Sequence, residues 1–286
     1  MRRKLFTLLT LTVFTLSSWA EDGHRLWLPA QKSQTAHVRT NAQSATIDLA
    51  KQELTDYFAG TKATLLIDPA LTDDEGFTIN GNEDSVVVRA RRDIGLLYGA
   101  YDVLRRQATQ GNMNHVEQHP RFRLRMLNHW DNLDGSIERG YAGESIFEWF
   151  HLDEALLHQY ARANASIGIN GSVLNNVNAS PKMLTREYLD EVRKIADLLR
   201  PYGIRVYLSI NFATPMALGD TRTADPKNKR VRQWWKRKAK EIYSIIPDFG
   251  GFLVKANSEG QPGPGDYHRT HAEGANMLAD ALAPFN

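Results

Sequence analysis

The stretch Gly250-Gly-Phe-Leu-Val-Lys255-Ala-Asn-Ser-Glu259-Gly-Gln-Pro-Gly-Pro264 decides the fold. It predicts a short buried strand that ends in a polar cluster and breaks into a Gly/Pro loop. With a side-chain period of two, Leu253, Lys255, Asn257 and Glu259 share one face. A lysine, an amide and a carboxylate on the inward face of an apolar strand are costly unless a ligand or partner satisfies them. Parallel α/β barrels keep their chemistry at the C-terminal ends of their strands. The stretch therefore predicts a barrel strand and part of a site. Twenty-two residues follow Pro264.

Working outward, the chain from Phe122 repeats strand, helix, strand, helix. Strands are expected over 122–130, 168–175, 204–211 and 252–258, with helices near 152–164, 185–199, 228–246 and 268–282. Such βα repeats with polar strand ends predict a (β/α)₈ barrel or a doubly wound sheet. No Gly-rich phosphate loop follows any strand, which disfavours the dinucleotide-binding alternative. Four βα units amount to half a barrel, assigned to residues 119–286. Residues 21–118 predict a small α/β domain. It has a helix over 47–58 ending at Gly60, short strands over 63–67, 76–79 and 85–90, and a second helix, 94–107, capped by Asp93. The polar segment 109–118 is expected to be a linker.

The N-terminus predicts a cleaved signal peptide over residues 1–20. Arg2, Arg3 and Lys4 precede an apolar and threonine run, and Ser18-Trp19-Ala20 supplies small residues at the cleavage positions. The expected location is the periplasm or the extracellular space. The whole chain has 35 Lys and Arg against 33 Asp and Glu, and three of the basic residues lie in this leader. Beyond Ala20 the balance is close to neutral, which removes the main support for a polyanion-binding role. With no cysteine, disulfides and thiolate metal sites are excluded.

Polar residues recur at each predicted strand end: Asn128-His-Trp-Asp131, Asn175-Asn176, Asn211 and Asn257-Ser-Glu259. Four such ends in register predict one shared site, whereas one alone reads as strand capping. Glu259 is the candidate for proton transfer, since a carboxyl beside apolar barrel walls can stay protonated and act as a general acid. Alone, it would read as a helix-capping glutamate. Lys255 suggests an anionic substrate group, or else an internal ion pair. Trp130 fits a sugar-stacking platform or a core tryptophan. Trp234 and Trp235 are expected in the core of an amphipathic helix, and the eight basic residues between Lys227 and Lys240 on its solvated face. Asp248-Phe-Gly250 matches a kinase tripeptide without the other kinase motifs. His268 and His271 lack further metal ligands. No cofactor or metal is expected.

The runs from Asn128 to Gly143 and from Phe252 to Pro264, continued by Ala272 and Gly274-Ala-Asn-Met-Leu-Ala-Asp280, resemble the microbial α-glucuronidases of glycoside hydrolase family 67. The resemblance implies a hexosaminidase-like N-terminal domain ahead of a (β/α)₈ barrel. It also implies inverting cleavage of the α-1,2 bond between (4-O-methyl)glucuronic acid and a terminal xylose of xylo-oligosaccharides. By motif position, Glu259 resembles the general acid and Lys255 a uronate-pocket residue. Trp130 and Val177 resemble residues shaping the pocket around the sugar and its methyl ether, and Asn128, Asp131 and Asn257 fall in the same substrate-binding motifs. The family's water-activating carboxylates lie on later barrel strands, to which nothing in this sequence corresponds. The expectation is thus an N-terminal portion, completed by further sequence or by another copy of the chain. The alternative is an inactive remnant or a carbohydrate-binding fragment.

Overall fold

The computed structural model describes residue 23 and residues 25–178, 180–257 and 260–285. The expected leader and Glu259 lie outside the described residues.

The N-terminal layer is a five-stranded sheet ordered β1-β2-β4-β3-β5. Its strands are β1 (His37–Thr40), β2 (Lys62–Ile67), β3 (Phe77–Gly81), β4 (Ser85–Ala90) and β5 (Val116–Gln118). β1, β2 and β4 run parallel, and β3 is antiparallel to both of its neighbours. Helices α1 (Ala45–Tyr57) and α2 (Asp93–Thr109) supply the apolar cover. Ile47, Ala50 and Leu54 of α1 and Leu96, Leu97, Ala100 and Leu104 of α2 are all buried, at the spacing of one helix face.

Several expectations shift here. Residues 116–118, expected within a linker, form an edge strand paired with Phe77–Ile79. Three residues carry too little alternation to announce a strand, and pairing to β3 decides the matter. Asp93 is the first helical residue rather than the cap. Its carboxylate accepts bonds from Ser44 Oγ (2.9 Å) and the Ile94 amide (2.9 Å), tying together the N-termini of α1 and α2.

The second sheet is four-stranded and parallel throughout, in chain order: β6 (Met126–Asn128), β7 (Gly171–Val173), β8 (Arg205–Asn211) and β9 (Gly251–Lys255). Between and after the strands lie α3 (Glu154–Ser166), α4 (Arg186–Leu199), the one-turn α5 (Thr214–Ala217), α6 (Lys229–Ile245) and α7 (His271–Leu282). β6 is much shorter than the expected 122–130. Phe122 and Leu124 are exposed, and the Arg125 amide bonds the side-chain carbonyl of Asn170 (2.9 Å) instead of a neighbouring strand. α7 likewise begins three residues later than expected, with Thr270 as its cap and Glu273 closing the capping box. Trp234 and Trp235 are buried as expected.

The double glycine that opens the decisive stretch has a steric cause. The Tyr207 ring lies across it, and a Cβ on Gly250 would fall 2.3 Å from that ring. A Cβ on Gly171 of β7 would lie 3.0 Å from the same ring, so one large residue on β8 is accommodated by glycines on both sides.

The two layers are joined by ion pairs. Arg125 bonds Glu75 (2.9 Å), and Arg162 on α3 holds both carboxylate oxygens of Glu53 on α1, one at 2.8 Å. Glu53 is buried, and the guanidinium also lies over the Tyr57 ring, 4.8 Å from its centre. Truncating one partner strands a buried charge. Glu53→Ala and Arg162→Met are therefore each expected to cost about 3–5 kcal/mol of stability, read as a lowered urea midpoint, since each leaves the other charge buried and unpaired. Equal, small losses in both would show the pair to be expendable.

Candidate active site

All four parallel strands end on one edge of the sheet, and the residues beyond those ends converge. Asn128 closes β6 in register with Val173, and the His129 amide extends the ladder by one bond to the Val173 carbonyl (3.0 Å). Asn211 and Lys255 are paired at the ends of β8 and β9.

Lys255 is half-buried and its ammonium donates to the side-chain carbonyl of Asn178. The two residues share a small cleft with Val177, Asn211, Ala256, Gln261 and Pro262. The cleft thus draws on the ends of β7, β8 and β9 and on the loop returning after β9. That return needs Gly263: a Cβ there would lie 2.0 Å from the Ala256 carbonyl oxygen. Asn257 is exposed beside this loop. Glu259 sits between Asn257 and Gln261 in sequence, outside the described residues.

Trp130 is 41% exposed, unlike the two core tryptophans of α6, so a broad aromatic face is available at the strand ends. Its carbonyl accepts from the Glu138 amide (2.8 Å). Asp131, the next residue, is buried and its carboxylate is already used. It accepts from Ser145 Oγ (2.5 Å) and lies 3.5 Å from His129 Nδ1. From His129 the chain continues through the Tyr160 hydroxyl (2.8 Å) to Ser172 Oγ (2.8 Å). Burial, reinforced by Asp131 and opposed by Ser172, pushes the Tyr160 phenol up to about 12, so it remains a neutral donor. This linked set underlies the strand ends and anchors the 131–145 loop from beneath, which gives Asp131 a positioning task in the structure.

The asparagines divide in the same way. Asn175 clamps β8 through its side chain, donating to the Ser209 carbonyl (3.0 Å) and accepting from the Ser209 amide (2.8 Å). Asn176 and Asn132 bond each other (3.0 Å) and both donate to the Glu138 carbonyl. A second, wider cleft over this network is lined by Asp131, Asn132, Asn176, Asn178, Lys182 and Tyr188, among others.

Sequence reasoning missed two residues. Asn178 was partly discoverable, because an inward lysine demands an acceptor and three asparagines, Asn175, Asn176 and Asn178, follow β7; the sequence does not say which of the three serves. Glu138 carried no local signal. It adopts a left-handed conformation (φ 58°), its backbone is held on both sides by the bonds above, and its Oε2 is buried without a hydrogen-bond partner among the described residues.

The sequence profile described as "Glycosyl hydrolase family 67 middle domain" matches residues 104–286. The chain is 48% identical over 218 residues to the probable alpha-glucuronidase A of Aspergillus fumigatus, covering 74% of this chain and 26% of that one. It is 38% identical over 326 aligned residues to the probable alpha-glucuronidase A of Aspergillus clavatus, covering 99% and 39%. The alpha-glucuronidase A of Emericella nidulans is 47% identical over 226 residues, covering 76% and 26%. The chain thus spans about a quarter to two fifths of the length of the curated relatives it matches. Among solved structures, it superposes on a GH138 enzyme targeting pectin rhamnogalacturonan II with a TM-score of 0.57 at 16% identity, covering 86% of this chain and 33% of that one. A GH20 β-N-acetylhexosaminidase from Streptomyces coelicolor gives 0.54 at 12% identity, covering 88% and 60%. At these identities the likeness concerns the fold, a mixed α/β architecture with parallel sheets shared with hexosaminidases.

Proposed function

This chain belongs to glycosyl hydrolase family 67, and from that premise we propose that it forms the N-terminal domain and the first half of the catalytic barrel of an α-glucuronidase. The enzyme removes α-1,2-linked (4-O-methyl)glucuronic acid from xylo-oligosaccharides with inversion. In this reading β6 to β9 are the first four strands of a (β/α)₈ barrel, and further sequence or another copy of the chain supplies the rest. The first 20 residues direct export to the periplasm or beyond and are removed after Ala20.

The observation that carries the reading is the cleft holding Lys255, Val177 and Asn178 at the strand ends, four residues before Glu259. Lys255 receives the uronate carboxylate there, exchanging its bond to a neutral amide for a charge-assisted one. Val177 bounds the space beside the sugar, and the exposed face of Trp130 stacks on the ring. Asn128 and Asn257 flank the mouth, and Asp131 fixes the loop that carries Asn132 and Glu138. Glu259 protonates the departing xylose oxygen as general acid. Inversion further requires a carboxylate about 6.5–9.5 Å away to activate water on the opposite face, and the later barrel strands provide it.

Substrate charge supplies the test. In the chain completed by a relative's C-terminal region, Lys255→Ala is expected to weaken glucuronate binding by about 10- to 100-fold, the equivalent of the roughly 1.5–3 kcal/mol of a charged hydrogen bond. Binding of a neutral xylo-oligosaccharide should hardly change. Equal losses for the two ligands by calorimetry would reduce Lys255 to a structural partner of Asn178 and remove the uronate pocket.

A further inference from the structure

Helix α6 carries an uncompensated cationic face. Lys229, Arg230, Lys236, Arg237 and Lys240 are all exposed and make no ion pair among the described residues. They fall at relative positions 0, 1, 7, 8 and 11, which is one side of a helix. At 1.5 Å per residue the row is about 16 Å long. The other basic residues of this segment are neutralised: Lys227 by Glu273, Arg232 by Asp280, and Lys238 by Glu241. Val231, Trp234, Trp235, Ala239 and Ile242 face inward.

A solvated helix on the outside of a barrel does not require this pattern. Its neighbour α4 shows the ordinary solution, pairing Arg186 with Asp190, Arg193 with Asp197 and Lys194 with Glu191 within its own length. α6 has a single acidic residue, Glu241, and that one is spent on Lys238. Five like charges at this spacing repel one another, and they are kept in a chain whose overall charge is near zero. Such a field attracts a flexible polyanion and holds it loosely, with strong salt sensitivity.

We propose that the exposed face of α6 is a docking surface for an acidic polysaccharide, namely the uronate-bearing chain from which the substrate is cut. The choice of polyanion rests on the α-glucuronidase reading. The surface itself lies on the helical exterior rather than at the strand ends. It retains the polymer through its carboxylates while the strand-end site processes individual termini. Both tryptophans of α6 point into the core, so retention on this face rests on charge rather than on stacking.

The test is retention of the 286-residue chain in gels containing glucuronoxylan, carboxyl-reduced glucuronoxylan or no polymer, at 20 mM and 300 mM salt. The expected result is retardation by the acidic polymer alone, lost at high salt. The triple variant Lys229→Gln, Lys236→Gln, Lys240→Gln should bind it about ten-fold more weakly while melting at the same temperature. Equal retardation of variant and parent, or equal retardation by the carboxyl-reduced polymer, overturns the proposal. So does tighter binding of a DNA duplex or of anionic lipid vesicles than of glucuronoxylan at the same salt, which would hand the surface to another partner. The readout does not depend on turnover. Loss of retention with Lys255-dependent glucuronate binding intact would sink only this surface, whereas intact retention without that binding would sink only the strand-end site.

Discussion

Glu259→Ala is expected to slow release of glucuronic acid from natural aldouronic acids by about 10²–10⁴-fold, the usual contribution of a positioned general acid. The comparison is made in the chain continued by the C-terminal region of an α-glucuronidase relative. Xylose is a poor leaving group, and its glycosidic oxygen must gain a proton as the bond breaks. A substrate with an activated phenol departs with little proton help, so its loss should be much smaller. The pH profile should change as well: the basic limb of kcat/KM, which reports loss of the acid's proton, should disappear in the variant. Identical losses on both substrates, with the basic limb retained, would remove Glu259 from the role of general acid. Glu259 lies four residues beyond Lys255, and Lys255 lines the cleft at the strand ends.

What was legible in the sequence is what depends on local periodicity. The alternation through Leu253 and Lys255 announced β9, and the apolar rows of α4 and α6 announced helices whose inward faces are indeed buried. The rhythm of strand and helix from Phe122 onward matched a parallel sheet in chain order. What was not legible depends on partners distant in sequence. β1 and β5 are three or four residues long, and they exist as strands because β2 and β3 offer them open edges. β6 shrank because the Asn170 side chain takes a backbone donor that a longer ladder would have used.

The site shows the same division. Polar residues after each strand were visible, but their chemistry was not. Asn175 and Asn211 look alike at strand ends, yet Asn175 is consumed in clamping β8 while Asn211 borders the cleft with Lys255. Asp131 reads as one polar residue of a strand end, and in the structure its carboxylate accepts from Ser145 and lies 3.5 Å from His129. Only the packing of α3 against β7, which brings Tyr160 to Ser172 and His129, reveals that chain of bonds. The residues most exposed to misreading are thus those whose partners come from another βα unit.

The 286 residues on their own are expected to release no measurable glucuronic acid from aldotriouronic acid, whereas the same chain continued by a relative's C-terminal region should turn it over. A lone general acid can protonate a leaving group but cannot activate water on the far face of the sugar, and inversion needs both acts at a fixed carboxylate separation. Motif transfer furnishes only Glu259 for this pair. Among the described residues β6 and β9 each have one strand neighbour, which fits the proposed half-barrel, whose further strands would carry the second carboxylate. The relatives extend well past the matched region, which is 26–39% of their length. The measurement is product release by the two proteins at equal concentration, with a third sample in which the 286-residue chain is mixed with the C-terminal region as a separate polypeptide. Turnover in the mixture would mean that the two halves assemble without a covalent link. Comparable rates from the 286-residue chain alone and from the continued chain would overturn both the half-barrel assignment and the need for a carboxylate beyond it.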